Sequence, residues 1–229
     1  PFAHVVDGAR LVAPQDPAAW GAANAGADVL TTTWVLHWDL HALKTQPSAL
    51  FEANLFWPAP RALARSEHMI ATALLGVPGL VVGGPVLAHQ TALLICVTLA
   101  TWAAAWTARC WTASTLAALA VGVLYAVTPF HQAQRFHLQS LGTAGLPLLL
   151  LGLERFGATG RLRWLAGAAM ALVWEMASGQ YLAFFALVAW GTAGTAAVIL
   201  GRPTNTPLRR LARDLTLLIA ASALAGVVY

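Results

Sequence analysis

Six stretches of this chain are apolar over the length of a bilayer crossing or close to it: 85–106, 112–128, 138–153, 164–179, 181–200 and 211 to the end. A hydrocarbon layer about 30 Å thick takes roughly 20 residues of helix to cross, and inside it each backbone N–H and C=O must be satisfied by the protein itself. The runs therefore predict an all-α fold, a polytopic membrane helical bundle of about six spans, some of them short. Composition agrees, since 59% of the residues are hydrophobic and 10% charged, with a mean hydropathy of +0.67. A soluble domain of this size carries far more charge.

The charges are sorted along the chain. Asp7, Asp16, Asp28, Asp39, Glu52 and Glu67 lie in the first 68 residues, and only Glu154, Glu175 and Asp214 follow, whereas most arginines come late. Those arginines gather in short loops between apolar runs, where positive charge marks the cytoplasmic side. The basic balance thus reports topology and gives no reason to expect nucleic acid as a partner; membrane lipid is the expected surroundings. Arg155, Arg161 and Arg163 in one loop and Arg202, Arg209, Arg210 and Arg213 in another are expected in the cytoplasm. The 178–181 turn and the 131–139 loop then lie outside.

The run 66–82 decides where the acidic N-terminal region goes. As a full span it would put that region in the cytoplasm; as a re-entrant hairpin it leaves it outside. The hairpin is favoured, because the run is short, interrupted by Pro78-Gly79 and closed by Gly83-Gly84-Pro85. This divides the chain into an extracytoplasmic region, 1–84, with an interfacial helix and a re-entrant hairpin, and a transmembrane domain, 85–229, truncated at both ends. The interfacial helix is read over 30–43, where Trp34 and Trp38 stand one turn apart with His37 and His41 on a neighbouring stripe. Trp34, Trp38 and Trp57 suit a headgroup-level aromatic belt. His37 and His41 have the i, i+4 spacing of a metal pair, but no third ligand is fixed by sequence. Cys96 and Cys110, if on one helix, stand roughly 21 Å apart, too far for a disulfide. The chain starts at Pro1 and stops within an apolar run at Tyr229, and reads as a piece of a longer protein.

Polar and ionisable residues are concentrated in ANLFWPAPRALARSEH, from Ala53 to His68, and in TPFHQAQRFHLQ, from Thr128 to Gln139. The order of Asp28, Trp34, His37-Trp38, LFEANLFWPAP, SEHMI, an apolar span, TPFHQAQRFHLQSLGTAGLPLLLLGLERF and ASGQYLAFF resembles the bacterial multi-spanning membrane proteins of the C-type (GT-C) glycosyltransferase superfamily, which are similar to the protein mannosyltransferases. The resemblance covers about residues 26 to 190. A family-typical first helix would lie just before Asp28, where AWGAANAGA is short and polar for one.

The resemblance implies an enzyme of the bacterial inner (plasma) membrane, transferring a hexosyl group from a polyprenyl-phosphate sugar donor, with inversion, at the non-cytoplasmic face. It also implies an essential acid in the first outer loop, and Asp28 matches that position. A carboxylate there could serve as general base; as a plain structural residue it would be a loop acid or the N-cap of the 30–43 helix. Glu67 is either a second catalytic acid or the partner of Ser66 in a capping box, and His68 beside it is a candidate substrate contact. A divalent cation, Mg2+ or Mn2+, is a candidate cofactor, with Asp28, Glu67, His37 and His41 as candidate ligands. His131, Gln134, Arg135, His137 and Gln139 form a cationic loop after Pro129, where Arg135 with His131 or His137 could stabilise a departing phosphate, or contact lipid headgroups. Glu175 is an acid within a span, which marks a functional site or an interhelical pairing, and Gln180 and Tyr181 at the lip of the same turn could touch sugar. A transporter or lipid flippase with a polar outer cavity is the competing class.

Overall fold

The computed structural model describes residues 20–55 and 58–199. The run from 211 onward, the arginine loop at 202–213 and Trp57 lie outside the described residues. Within them the chain is all-helical, without strands. In chain order the α-helices are α1 (Trp20–Thr45), α2 (Ile70–Thr112), α3 (Thr115–Ala126), α4 (Pro129–Ala133), α5 (Gly145–Thr159), α6 (Leu162–Ser178) and α7 (Gln180–Ile199). Single 3-10 turns at Pro47–Ala49, Ala62–Arg65 and Leu138–Ser140 punctuate the connections.

α1 is longer than the expected 30–43 segment. It starts at Trp20 and runs 26 residues, so WGAANAGA contributes helix and Asp28 lies within α1, neither on a loop nor at a cap. Alanine-rich sequence forms helix without needing apolar bulk, which a search for hydrophobic runs overlooks. The helix ends ahead of Pro47, whose ring disfavours helical geometry in the residue before it.

α2 is two helical arms, 70–82 and 85–112, joined at Gly83 and Gly84. Gly84 has φ +82°, a left-handed conformation that glycine adopts without a steric penalty. Pro85 then starts the second arm at a position where its missing N–H costs little. The arms fold back on each other: a Cβ on Gly76 would come within 2.9 Å of the Ala88 carbonyl, and one on Gly79 would strike Leu87 and Thr91. The reversal therefore falls at Gly83-Gly84, and Pro78-Gly79 sits inside the first arm. Small residues let the two backbones approach closely.

Ser114 caps α3 by accepting the Ala117 N–H at 3.2 Å, and Thr128 caps α4 ahead of Pro129. Gly122 of α3 packs on Ala105 and the Thr101 carbonyl of α2. The fifth helix begins at Gly145, seven residues into the 138–153 run, because the preceding residues form a 3-10 turn and a tightly packed loop. One core cluster joins α1, α2 and the 138–141 turn through Leu36, Leu63, Met69, Ala88, Leu138 and Leu141; a second joins α5, α6 and α7 through Leu149, Ala168, Leu172 and Ala186.

By length and composition, two stretches among the described residues can cross a membrane, Ile70–Thr112 and Thr115–Ala133. Large apolar side chains face outward, with Val81 at 81% and Leu116 at 78% exposure. Such a surface calls for a partner or lipid.

Candidate functional site

α1 carries two acids on one face. Asp28 and Asp39 are eleven residues apart, about three turns, so both look inward with Thr32 and Leu36 between them. At the Asp28 level the loop after α4 meets the helix: His137 Nε2 lies 2.9 Å from Asp28 Oδ2. Because a carboxylate can only accept there, Nε2 carries the proton and Nδ1 is left, buried and without a hydrogen-bond partner. Glu67 approaches from the third direction, on the segment before α2. Its carboxyl group is held above the ordinary range first by burial and then by the Asp28 charge, against the opposing hydrogen bond from the Gln139 side chain and the nearby His137. Asp28, Glu67, His137 and Gln139 thus meet across more than a hundred residues of sequence.

Asp39 fixes the height of Glu67. It is fully buried, and its Oδ2 accepts the Met69 N–H at 2.8 Å. This bond satisfies an amide at the start of α2, where Met69 itself offers no side-chain cap. The Ser66 capping box does not form, since the helix starts at Ile70. Burial raises the Asp39 carboxyl to about 7, opposed by the Met69 hydrogen bond. His68 lies between these anchors, buried, with its ring edge-on to Phe51 at 5.9 Å, and burial lowers it to about 4.

A cavity of about 380 Å³ opens beside the cluster, lined by Glu67, Phe130, Gln134, His137, Gln139, Ser140, Tyr181, Leu182 and Phe185. Its floor is braced from behind. His131 is buried and shares hydrogen bonds with Thr128 Oγ1 at 2.8 Å and Thr143 Oγ1 at 2.9 Å. Tyr125 donates to the Thr143 carbonyl and Trp174 Nε1 to the Gly142 carbonyl. Gly142 and Gly179 leave no room for a Cβ against Ser178 and the Gln139 carbonyl. The last turn of α6 therefore presses on the 139–145 segment that follows His137.

The other sequence-selected residues fall elsewhere. Glu175 is 0% exposed and sits against the first residues of α5, where a Cβ on Gly145 would come 2.6 Å from its Oε1. A carboxyl group there faces the amide end of a helix. Arg135 is exposed; its guanidinium donates to the Gln132 carbonyl at 3.4 Å and lies over the Phe136 ring. Gln180 is exposed and does not line the cavity, although Tyr181 does. His37 and His41 are on the exposed side of α1; burial and then the neighbouring His41 lower the His37 ring. Trp34 and Trp38 stack at 5.8 Å, and Trp38 Nε1 donates to the Leu50 carbonyl. Among the described residues no group of three or more His, Cys, Asp or Glu is placed to hold a metal ion, so Asp28, Glu67, His37 and His41 do not combine into one site.

Gln139 and Asp39 carry more of the geometry than their sequence contexts suggest. The i, i+11 relation of Asp39 to Asp28 within a helix was the available signal, and it requires knowing that α1 is continuous through both. The chain matches no protein-family model, no curated protein sequence and no solved structure.

Proposed function

We propose that the protein is a multi-pass membrane glycosyltransferase with a GT-C-like helical bundle, moving a sugar from a polyprenyl-phosphate donor to an acceptor hydroxyl at the non-cytoplasmic face of a bacterial inner membrane. The observation that carries the reading is the meeting of Asp28, His137 and Glu67 beside a single open cavity. Outward-facing apolar side chains on α2, α3, α6 and α7 support the placement in lipid.

In this reading the acceptor O–H gives its proton to the Asp28–His137 pair as its oxygen bonds to the anomeric carbon. The bond from that carbon to the phosphate oxygen breaks, and polyprenyl phosphate leaves with the electron pair, inverting the centre. Asp28 holds the imidazole in the tautomer that keeps Nδ1 free to accept, the arrangement a general base needs. Glu67 orients the acceptor from the opposite side.

Sugar transfer measured with a polyprenyl-phosphate sugar donor in membranes tests the chemistry. Loss of transfer in Asp28→Asn is expected; wild-type turnover in that variant removes Asp28 from the mechanism and favours a transporter or flippase. Orientation has its own test, because a cysteine at Ser48 should label from the non-cytoplasmic side. Labelling only from the cytoplasm would overturn the topology and the site together.

A further inference from the structure

We infer that the cavity receives a neutral, polyhydroxylated ring, the carbohydrate acceptor, and that the donor phosphate is bound elsewhere. The inference rests on the reading of this cavity as part of the transfer site, and it names the chemistry of the occupant.

Charge is the first argument. With Asp28 ionised opposite His137, the group Asp28, Glu67 and His137 sums to zero or to a negative charge in every combination of Glu67 and His137 protonation. Among the described residues no Lys or Arg lines the cavity. Arg135, the nearest cation in sequence, is exposed, lies over the Phe136 ring and does not line the cavity. A phosphate entering here would lose water without gaining a counter-charge, and burying an unpaired anion is strongly unfavourable.

The sense of the hydrogen-bonding groups is the second argument. The Gln139 amide nitrogen serves Glu67, which leaves Gln139 Oε1 buried with no partner. His137 Nε2 serves Asp28, which leaves Nδ1 in the same condition. Oε1 is an acceptor at any pH, and Nδ1 is one in the neutral ring. Both residues line the cavity, so two unmatched acceptors lie just behind its wall and suit a ligand that brings donors. Sugar hydroxyls bring them; a phosphate brings only acceptors, apart from any proton it retains.

Shape is the third. Phe130, Tyr181 and Phe185 supply aromatic surface to the same cavity as these polar residues. Pyranose rings have apolar C–H faces and polar hydroxyl edges, which such a wall matches, and about 380 Å³ is within the range of small-molecule sites.

The probes are the methyl α-pyranosides of glucose, galactose and mannose, set against glucose 1-phosphate. Binding is read on the protein in lipid nanodiscs prepared without glycoside detergents, by saturation-transfer NMR and tryptophan fluorescence. At least one methyl pyranoside should bind, with glucose 1-phosphate at least tenfold weaker. Gln139→Ala and His137→Ala should each weaken the pyranoside about tenfold, the effect of one lost hydrogen bond of roughly 1.4 kcal/mol. Gln139→Ala retains the Asp28–His137 pair, so it reads the contact even if His137→Ala fails to fold.

Tighter or equal binding of glucose 1-phosphate, absence of pyranoside binding, or unchanged pyranoside binding in Gln139→Ala would each overturn the inference. Pyranoside binding without sugar transfer would instead overturn the proposed enzyme and leave the carbohydrate site standing. Sugar transfer with no pyranoside binding would do the reverse.

Discussion

Two carboxylates taken from the interior of this chain live in opposite surroundings. Asp28 is half-exposed, paired with a histidine, and beside a cavity. Glu175 is sealed between α6 and the first turn of α5, with Gly145 packed against its carboxyl group. An acid that must exchange a proton needs a partner and access; an acid that holds two helices together needs neither. Burial alone does not mark a reactive group, and the more buried acid here is the one placed to brace the structure.

The comparison breaks most directly at Asp28. Asp28→Asn preserves size and polarity but removes the charge opposite His137, so sugar transfer should fall by about two to four orders of magnitude while thermal stability changes little. A fall in melting temperature that tracks the lost activity would place Asp28 with Glu175 as a structural acid.

Glu175 should show the converse. Glu175→Leu removes the carboxyl group that faces the amide end of α5 and should destabilise the protein by about 1–3 kcal/mol. Glu175→Gln keeps an oxygen acceptor and should recover much of that loss, with turnover per folded molecule near wild type. Thermal melts in nanodiscs alongside turnover separate the two roles. A large turnover defect in well-folded Glu175→Gln would erase the contrast.

Asp39 sharpens the picture through pH. Its folded value, about 7, lies above the ordinary 3.8, so the native state binds the proton more tightly and this group's stabilising contribution is lost as pH rises from about 4 through 7. Burial moves Glu67 in the same direction. His68 runs the opposite way, because its folded value of about 4 lies below 6.5 and its contribution is lost as pH falls through that window. Asp39→Asn keeps the acceptor for Met69 N–H but does not titrate. Melts between pH 4 and 7 should therefore show the variant gaining stability with rising pH relative to wild type; parallel profiles would exclude Asp39 as the titrating anchor.

The smallest effect is expected at Arg135. An exposed guanidinium with one long hydrogen bond contributes little, so Arg135→Ala should change turnover and donor affinity by less than about threefold. A tenfold loss of donor affinity would put the phosphate at this loop after all.

Much of the helical framework was legible along the chain. Apolar runs locate the second arm of α2 and α3, α6 and α7, and Gly83-Gly84-Pro85 marks a reversal whose necessity Gly84 explains through its positive φ. The beginning of α1 was not legible, because WGAANAGA is helical by alanine content and not by hydrophobic pattern. The start of α5 was hidden for another reason: 138–144, LQSLGTA, adjoins the leucine-rich 145–153 and reads as part of the same run, but is held as a turn and loop by Tyr125, His131 and Trp174.

The candidate site divides along the same line. The resemblance selected Asp28, and local context offered Glu67, His137 and Tyr181 as polar groups beside apolar runs. Sequence alone could not separate His137, at the cavity, from His131, six residues away and committed to Thr128 and Thr143. Nor could it show that Asp39 sets Glu67 in place or that Arg135 turns outward. Those distinctions depend on which groups satisfy one another's hydrogen bonds, and partners 30 to 109 residues apart are chosen only when the helices pack.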